Sequence, residues 1–185
     1  TDVVVHMAGR AHMTVDGSTS PLAEFRRINR DATLSLAKIA ANSGVKRFVF
    51  LSSIGVNGSQ NSKPFTETDD PNPKEDYAIS KYEAELGLLD LSKEVDMDVV
   101  IIRPPLVYGQ GVKGNFASLL KLTSLSVPLP FGAIENRRSL VSVENLVDLI
   151  VTCLDHPNAK NKSFLVSDDR DLSTPELLSM IAKSG

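Results

Sequence analysis

Four short apolar runs, each separated from the next by a helical pattern, constrain this chain more than any other feature. They are "DVVVH" (Asp2 to His6), "KRFVFLSS" (Lys46 to Ser53), "DMDVVIIRPP" (Asp96 to Pro105) and "KSFLVSD" (Lys162 to Asp168). A continuous apolar run of this length is expected of a strand covered on both faces. Between the first two, "PLAEFRRINRDATLSLAKIAANSG" carries apolar residues at helical spacing (Leu22, Phe25, Ile28, Ala32, Leu36, Ile39) and stops at Gly44. Further helices are expected from Tyr77 to Lys93, over "GNFASLLKLTSL", over "VENLVDLIVTCLDHP" and over "STPELLSMIAKSG", with a short strand at "RRSLVSV". Strands alternating with helices predict an α/β fold, a parallel sheet with helices on both faces.

The totals fit that class. The chain has 185 residues, 42% of them apolar and 23% charged, and a net charge of -3. It is long enough to bury a core, and without a basic run it shows no sign of nucleic acid or an anionic membrane as partner. No apolar run is long enough to span a bilayer. The one cysteine, Cys153, lies in an apolar helical stretch and reads as a small buried hydrophobe. A single cysteine suits a reducing compartment, and a cytoplasmic location is expected. The chain opens inside a strand with no initiator Met, as expected of a fragment.

In a parallel sheet, ligands bind beyond the carboxyl ends of the strands. Three ends deserve chemistry: "HMAG" (His6 to Gly9), "LSSIGVNG" (Leu51 to Gly58) and "RPPLVYG" (Arg103 to Gly109). Residues 54 to 76 form a long polar loop after the second end, and loops of this length are commonly functional. Tyr77 and Lys81 follow, four apart and so on one helix face. A tyrosine working as a base at neutral pH must drop by roughly 3 pKa units, about 4 kcal/mol. A nearby ammonium favours the phenolate. Ser53 could hold a substrate oxygen against Tyr77, and such a trio moves a proton while a cofactor exchanges a hydride. By itself the Tyr–Lys spacing is a weak signal, because chance places many such pairs on solvated helix surfaces. His6 reads as a structural histidine beside a buried strand. His12 and His156 carry no motif, and no metal site is expected.

In this order and spacing, the motifs "HMAG", "INRDATLSLAKIA", "FVFLSSIGVNG", "ETDDPNPKEDYAISK", "IIRPPLVYG" and "RRSLVSVENLVDLI" resemble the extended short-chain dehydrogenase/reductases. That group includes nucleotide-sugar epimerases, dehydratases and 4-keto-sugar reductases. The resemblance implies a partial Rossmann-like, doubly wound parallel sheet with a small C-terminal substrate-binding part. Residues 1–105 would be the later portion of the dinucleotide-binding domain with the catalytic residues. Residues 106–185 would mix substrate-binding elements with a returning strand and helix. Tyr77 would be the acid/base, Lys81 would contact the nicotinamide ribose and lower the Tyr77 pKa, and Ser53 would be the catalytic serine. Ala8, Gly9, Asn29, Ser52, Pro104 and Pro105 would lie beside the cofactor, NAD or alternatively NADP. Ser53, Asn115 and Arg138 would contact a nucleotide-sugar substrate, UDP-linked by this resemblance. A guanidinium suits a diphosphate by its bidentate fork.

Departures narrow the reaction. The dehydratases place Asp and Glu after the catalytic Ser or Thr, and Ile54 and Gly55 stand there instead. Asn57 replaces the tyrosine of the family's "VYG", Leu106 replaces an asparagine, and Ser142 and Glu144–Asn145 depart from "H-V-x-D". The Gly-rich turn and ribose selector of the family precede "HMAG" and are not in this sequence. The implied function is UDP-hexose 4-epimerisation. The alternatives are a 4-keto-6-deoxy-sugar reductase and, for the chain alone, a truncated non-catalytic binding module. A homodimer through the Tyr77 helix is also expected, with Ile79, Tyr82, Leu86 and Leu89 on the sheet and Ala84, Leu88 and Leu91 facing outward.

Overall fold

A computed structural model describes residues 2–11, 20–111 and 136–184. Four strands form one parallel sheet: β1 (Val3–His6), β2 (Arg47–Leu51), β3 (Asp98–Arg103) and β6 (Lys162–Leu165), in the order β1-β2-β3-β6. The registers pair Val3 with Arg47, Arg47 with Asp98, and Val100 with Lys162. Two further strands, β4 (Leu106–Tyr108) and β5 (Leu140–Ser142), form a separate parallel pair. The helices are α1 (Pro21–Phe25), α2 (Ala32–Asn42), α3 (Asp76–Glu94), α4 (Val143–Cys153) and α5 (Thr174–Ser184). The fold is thus the expected α/β class with a parallel, Rossmann-like sheet.

The chain divides into two compact units. The first comprises residues 1–103 and 149–165, and the second residues 104–148 and 166–185. In the first unit, strand alternation places Phe48, Phe50, Val99 and Ile101 in one core with Ala37 and Ala40 of α2 and Ala84 and Leu88 of α3. Val49, Val100 and Ile102, at the alternate positions of the same strands, are equally buried, which is why both strands read as unbroken apolar runs. Each such side chain contributes about 1.5–3 kcal/mol by leaving water. Cys153 is a buried free thiol, as expected, and burial pushes its pKa up. The buried Arg47 guanidinium donates to the carbonyls of Cys153 (3.0 Å) and His156 (3.1 Å) after the last turn of α4. In the second unit, Leu140, Leu172 and Leu177 form a small core joined by Leu106, the residue that stands where the family has an asparagine.

Three features differ from the sequence expectation. The stretch between α1 and α2 is not a continuous α-helix: residues Arg26–Asp31 form a π-helical segment. Strand β4 also went unread, because two prolines stand immediately before it. Finally, the stripe of α3 expected to face outward faces the core, and Leu86 of the expected inward stripe faces out. Ala84 and Leu88 are fully buried, Leu89 and Leu91 pack partly buried on that core, and Leu86 is 45% exposed. The cause is that the inward face of α3 also carries Ser80, Lys81 and Glu85, all buried. Polar residues on the buried face leave apolar periodicity pointing at the wrong side.

Candidate active site

The end of β2 and the first turns of α3 are knit together through Lys81. Its Nζ donates to the Leu51 carbonyl (2.9 Å) and lies 4.5 Å from the centroid of the Phe50 ring. Strand β2 continues into Ser52, whose N–H donates to the Ile102 carbonyl of β3 (2.7 Å). The next residue, Ser53, is extended and caps a 3-10 turn, Ile54–Val56, by accepting from the Gly55 N–H at 3.1 Å. A Cβ placed on Gly55 would stand 3.4 Å from Ser53 Oγ and 3.3 Å from the Ala78 side chain. Ser53 Oγ and the Ala78 side chain thus flank Gly55, and Tyr77 precedes Ala78 in the first turn of α3. Tyr77 packs its ring edge-on against Phe25, centroids 6.1 Å apart.

The loop after β1 closes on the same place. Asn29, in the middle of the π-helical segment and fully buried, accepts from the Arg10 N–H (2.8 Å) and donates to the Arg10 carbonyl (3.0 Å) and to Ser80 Oγ (3.0 Å). Ser80 in turn donates to the Tyr77 carbonyl at 2.7 Å. A π turn inserts one extra residue per turn and re-aims a side chain, a device common at functional sites. A Cβ on Gly9 would stand 3.1 Å from Lys81 Nζ and 3.2 Å from Asn29 Oδ1, closer than ordinary contact. Gly9 is thus the residue that lets the "HMAG" backbone pass beside the lysine.

The electrostatics are those of a dry site. Burial lowers Lys81 to about 8, partly offset by the Glu85 carboxylate one turn on. The lysine is 2% exposed yet still carries its charge at neutral pH. Burial pushes the Tyr77 hydroxyl up, so the lowering by Lys81 expected from the sequence is not seen. As it stands, Tyr77 is protonated at neutral pH and fits a general acid. His6 is structural: its Nε2 is 2.9 Å from Thr33 Oγ1, its ring stacks on Phe50, and burial and then Lys81 hold its pKa down.

Gly9, Asn29, Ser52, Ser53, Tyr77 and Lys81 are therefore gathered in the first unit, with Ala8 adjoining Gly9. Pro104, Pro105 and Arg138 belong to the second unit. There Arg138 is exposed and makes an isolated antiparallel bridge with Leu172. Asn115 lies outside the described residues. Also in the second unit, Asp168 accepts from Tyr108 (2.7 Å), the Ser142 N–H (3.0 Å) and Asn145 (2.8 Å). Burial alone would raise the Asp168 carboxyl, but these bonds hold it below the usual range. Ser142 accepts from the Asn145 N–H at 3.1 Å, so two departures from "H-V-x-D" meet each other and Asp168.

Two buried charged residues, Arg103 and Glu85, escaped the sequence reading, and Asn57 was read only as a departure from the family's pattern. Arg103, at the end of β3, donates to Glu85 (3.1 and 2.6 Å) and to Asn57 Oδ1 (3.0 Å). A lone charge in the apolar run "VVIIR" and a glutamate four residues after Lys81 were the available signals.

Fold and site together define a class: a parallel, Rossmann-like α/β sheet with a serine after a strand end and a Tyr–Lys pair on the helix beside it. Residues 1–167 match the NAD dependent epimerase/dehydratase family, and the chain belongs to that family. The resemblance drawn from the motifs holds. A UDP-glucose 4-epimerase of Vibrio cholerae is 55% identical over 185 residues, covering 98% of this chain and 56% of the relative. The structure of a UDP-glucose 4-epimerase from Thermotoga maritima with UDP-glucose superposes with a TM-score of 0.82 at 26% identity, covering 98% of this chain and 60% of that one. The fold is also that of MoeE5 in complex with UDP-glucose and NAD (TM-score 0.85, 24% identity, 99% of this chain and 62% of that one). The chain spans about half the length of the curated relatives it matches.

Proposed function

We propose that the intact protein is an NAD-dependent epimerase that inverts C4 of a UDP-linked hexose. The gathering of Ser53, Tyr77 and Lys81 supports proton transfer at a sugar hydroxyl. Epimerisation rather than one-way reduction rests on one observation, the 55% identity to the Vibrio cholerae UDP-glucose 4-epimerase across 98% of the chain.

The residues present fit the edge of a dinucleotide site. Ser52 Oγ is buried, at 4% exposure, with no hydrogen-bond partner among the described residues, and Gly9 leaves room where a side chain would collide. Ala8, Gly9, Asn29, Ser52, Pro104, Pro105 and Lys81 would line the cofactor. When bound, the cofactor accepts and returns a hydride at sugar C4. The chain's own residues handle the proton. Ser53 holds the C4 oxygen, and Tyr77, once its own proton has left for solvent, takes the hydroxyl proton as the sugar becomes a 4-keto species. Tyr77 then gives the proton back as the ketone is reduced on its other face. The Lys81 ammonium favours the phenolate with which this cycle starts and ends. Asn115 and Arg138 would hold the diphosphate.

The test is incubation of the intact protein with UDP-glucose and NAD. Appearance of UDP-galactose without net NADH change is expected. Stoichiometric NAD(P)H consumption with a UDP-4-keto sugar, and no epimerisation, would favour the reductase instead. If the folded chain by itself binds neither NAD nor UDP in calorimetry, the truncated, non-catalytic module is favoured for the isolated chain.

Among the described residues no helix is long and apolar enough to cross a membrane. We place the protein in the cytoplasm, where an unpaired buried thiol persists. Its expected partner is a second copy. The apolar side chains exposed on neighbouring helices are Leu36 and Ile39 on α2 and Leu86 on α3. Sedimentation of the intact protein should give a dimer, and Ile39→Glu with Leu86→Glu should give a monomer. A wild-type monomer at high concentration would end the dimer reading.

A further inference from the structure

The proposed chemistry leaves Glu85, Arg103 and Asn57 without a part. All three are buried. Their connections are specific. The Arg103 fork spans two elements. Nε and Nη2 hold both oxygens of Glu85, on the helix that carries Tyr77 and Lys81, while Nη1 holds Asn57 Oδ1. Asn57 closes the turn that Ser53 opens, its N–H donating to the Ile54 carbonyl at 2.9 Å. Its side-chain amide also donates to the Thr66 carbonyl (3.3 Å), and the neighbouring Val56 carbonyl accepts from the Asn72 N–H (2.9 Å). The guanidinium therefore grips the serine-bearing turn with one arm and the tyrosine-bearing helix with the other.

We propose that Arg103, through Asn57 and Glu85, is a positioning residue that sets the separation of Ser53 from Tyr77. The reasons are geometric. A planar fork with a fixed spread of donors can hold two acceptors at once at one distance, which an ammonium on a flexible stem cannot. A misplacement of about 1 Å at a reacting group can lower the rate about 100-fold. Asn57 stands where the pattern that this chain resembles has a tyrosine. The inference rests on the epimerase reading of the site.

A double-mutant cycle in the intact protein, read by UDP-glucose epimerisation, tests it. Asn57→Ala should lower kcat about 10- to 100-fold with little change in KM. Asn57→Asp, which keeps the acceptor for Arg103 but gives up the donor to the Thr66 carbonyl, should recover most of the lost kcat. In a Ser53→Ala background, Asn57→Ala should add less than about 3-fold, because the group being positioned is gone. Losses that multiply, or no rescue by aspartate, would overturn the proposal and leave the network merely structural. Thermal unfolding checks that the variants are folded at the assay temperature, and Asn57→Ser replaces alanine in the comparison if it is not. Tyr77→Phe in the same assay separates the two levels. If it keeps wild-type turnover, the site reading and this inference both fall. If it is inactive while the Ser53 and Asn57 losses multiply, only this inference falls.

Discussion

Replacing Tyr77 by phenylalanine is expected to slow epimerisation by the intact protein about 10³-fold, within the 10²–10⁴ range that a positioned acid/base supplies. The variant removes one oxygen and nothing else that packs. The ring keeps its edge-on contact with Phe25, and the Ser80 bond to the residue 77 carbonyl involves backbone only. The sugar nucleotide should still bind, so the loss should appear in kcat and in kcat/KM alike, the pattern of an interaction made in the transition state. Steady-state kinetics with UDP-glucose measure it. A kcat within 3-fold of wild type would show that the proton moves through another group.

The second large effect concerns stability. The Arg103–Glu85 pair is almost wholly desolvated, its side chains 7% and 1% exposed. Deleting one member strands a buried charge, which costs about 3–5 kcal/mol, whereas replacing both by apolar groups of similar volume is often nearly neutral. Glu85→Ala should therefore shift the urea midpoint of the intact protein far down, and Glu85→Met with Arg103→Met should recover most of the shift. A Glu85→Ala loss below about 1 kcal/mol would mean that water reaches Arg103 and that the pair is not closed. The recovered double variant is also informative about function, since it restores packing without the fork that holds Asn57.

Much of the fold was legible because the first-unit strands are covered on both faces. "FVF" and "VVII" offer no polar position to confuse with a helix or a surface strand, and their strand ends then located Ser53. The Tyr–Lys spacing became meaningful only beside that strand end. What could not be read follows from the same physics. Periodicity assigns the inward face by counting apolar residues, and on α3 that face is occupied by Ser80, Lys81 and Glu85. The π-helical segment leaves no mark in the sequence, because Asn29 is as compatible with an ordinary helix; only its three bonds to Arg10 and Ser80 give it a reason. Strand β4 is three residues long and pairs with a segment far along the chain, which no local pattern announces. The Asn57–Arg103–Glu85 link draws on a loop, a strand and a helix, and becomes visible only when all three are assembled.

The parallel registers carry a consequence for how the chain reaches this state. Val3 pairs with Arg47, Arg47 with Asp98, and Val100 with Lys162, so each adjacent pair in the main sheet closes a loop of roughly 40–60 residues. Among the described residues that sheet has no hairpin to serve as a cheap nucleus. Contacts of such high sequence separation slow folding toward the millisecond-to-second regime and leave unpaired strands exposed to other chains meanwhile. During synthesis β1, β2 and β3 can associate with α2 and α3 as soon as they emerge, but β3 keeps one open edge until β6 has been made. The protein is thus most vulnerable to intermolecular strand pairing in the interval when Val99 to Ile102, its most apolar stretch, waits for a partner encoded some sixty residues later.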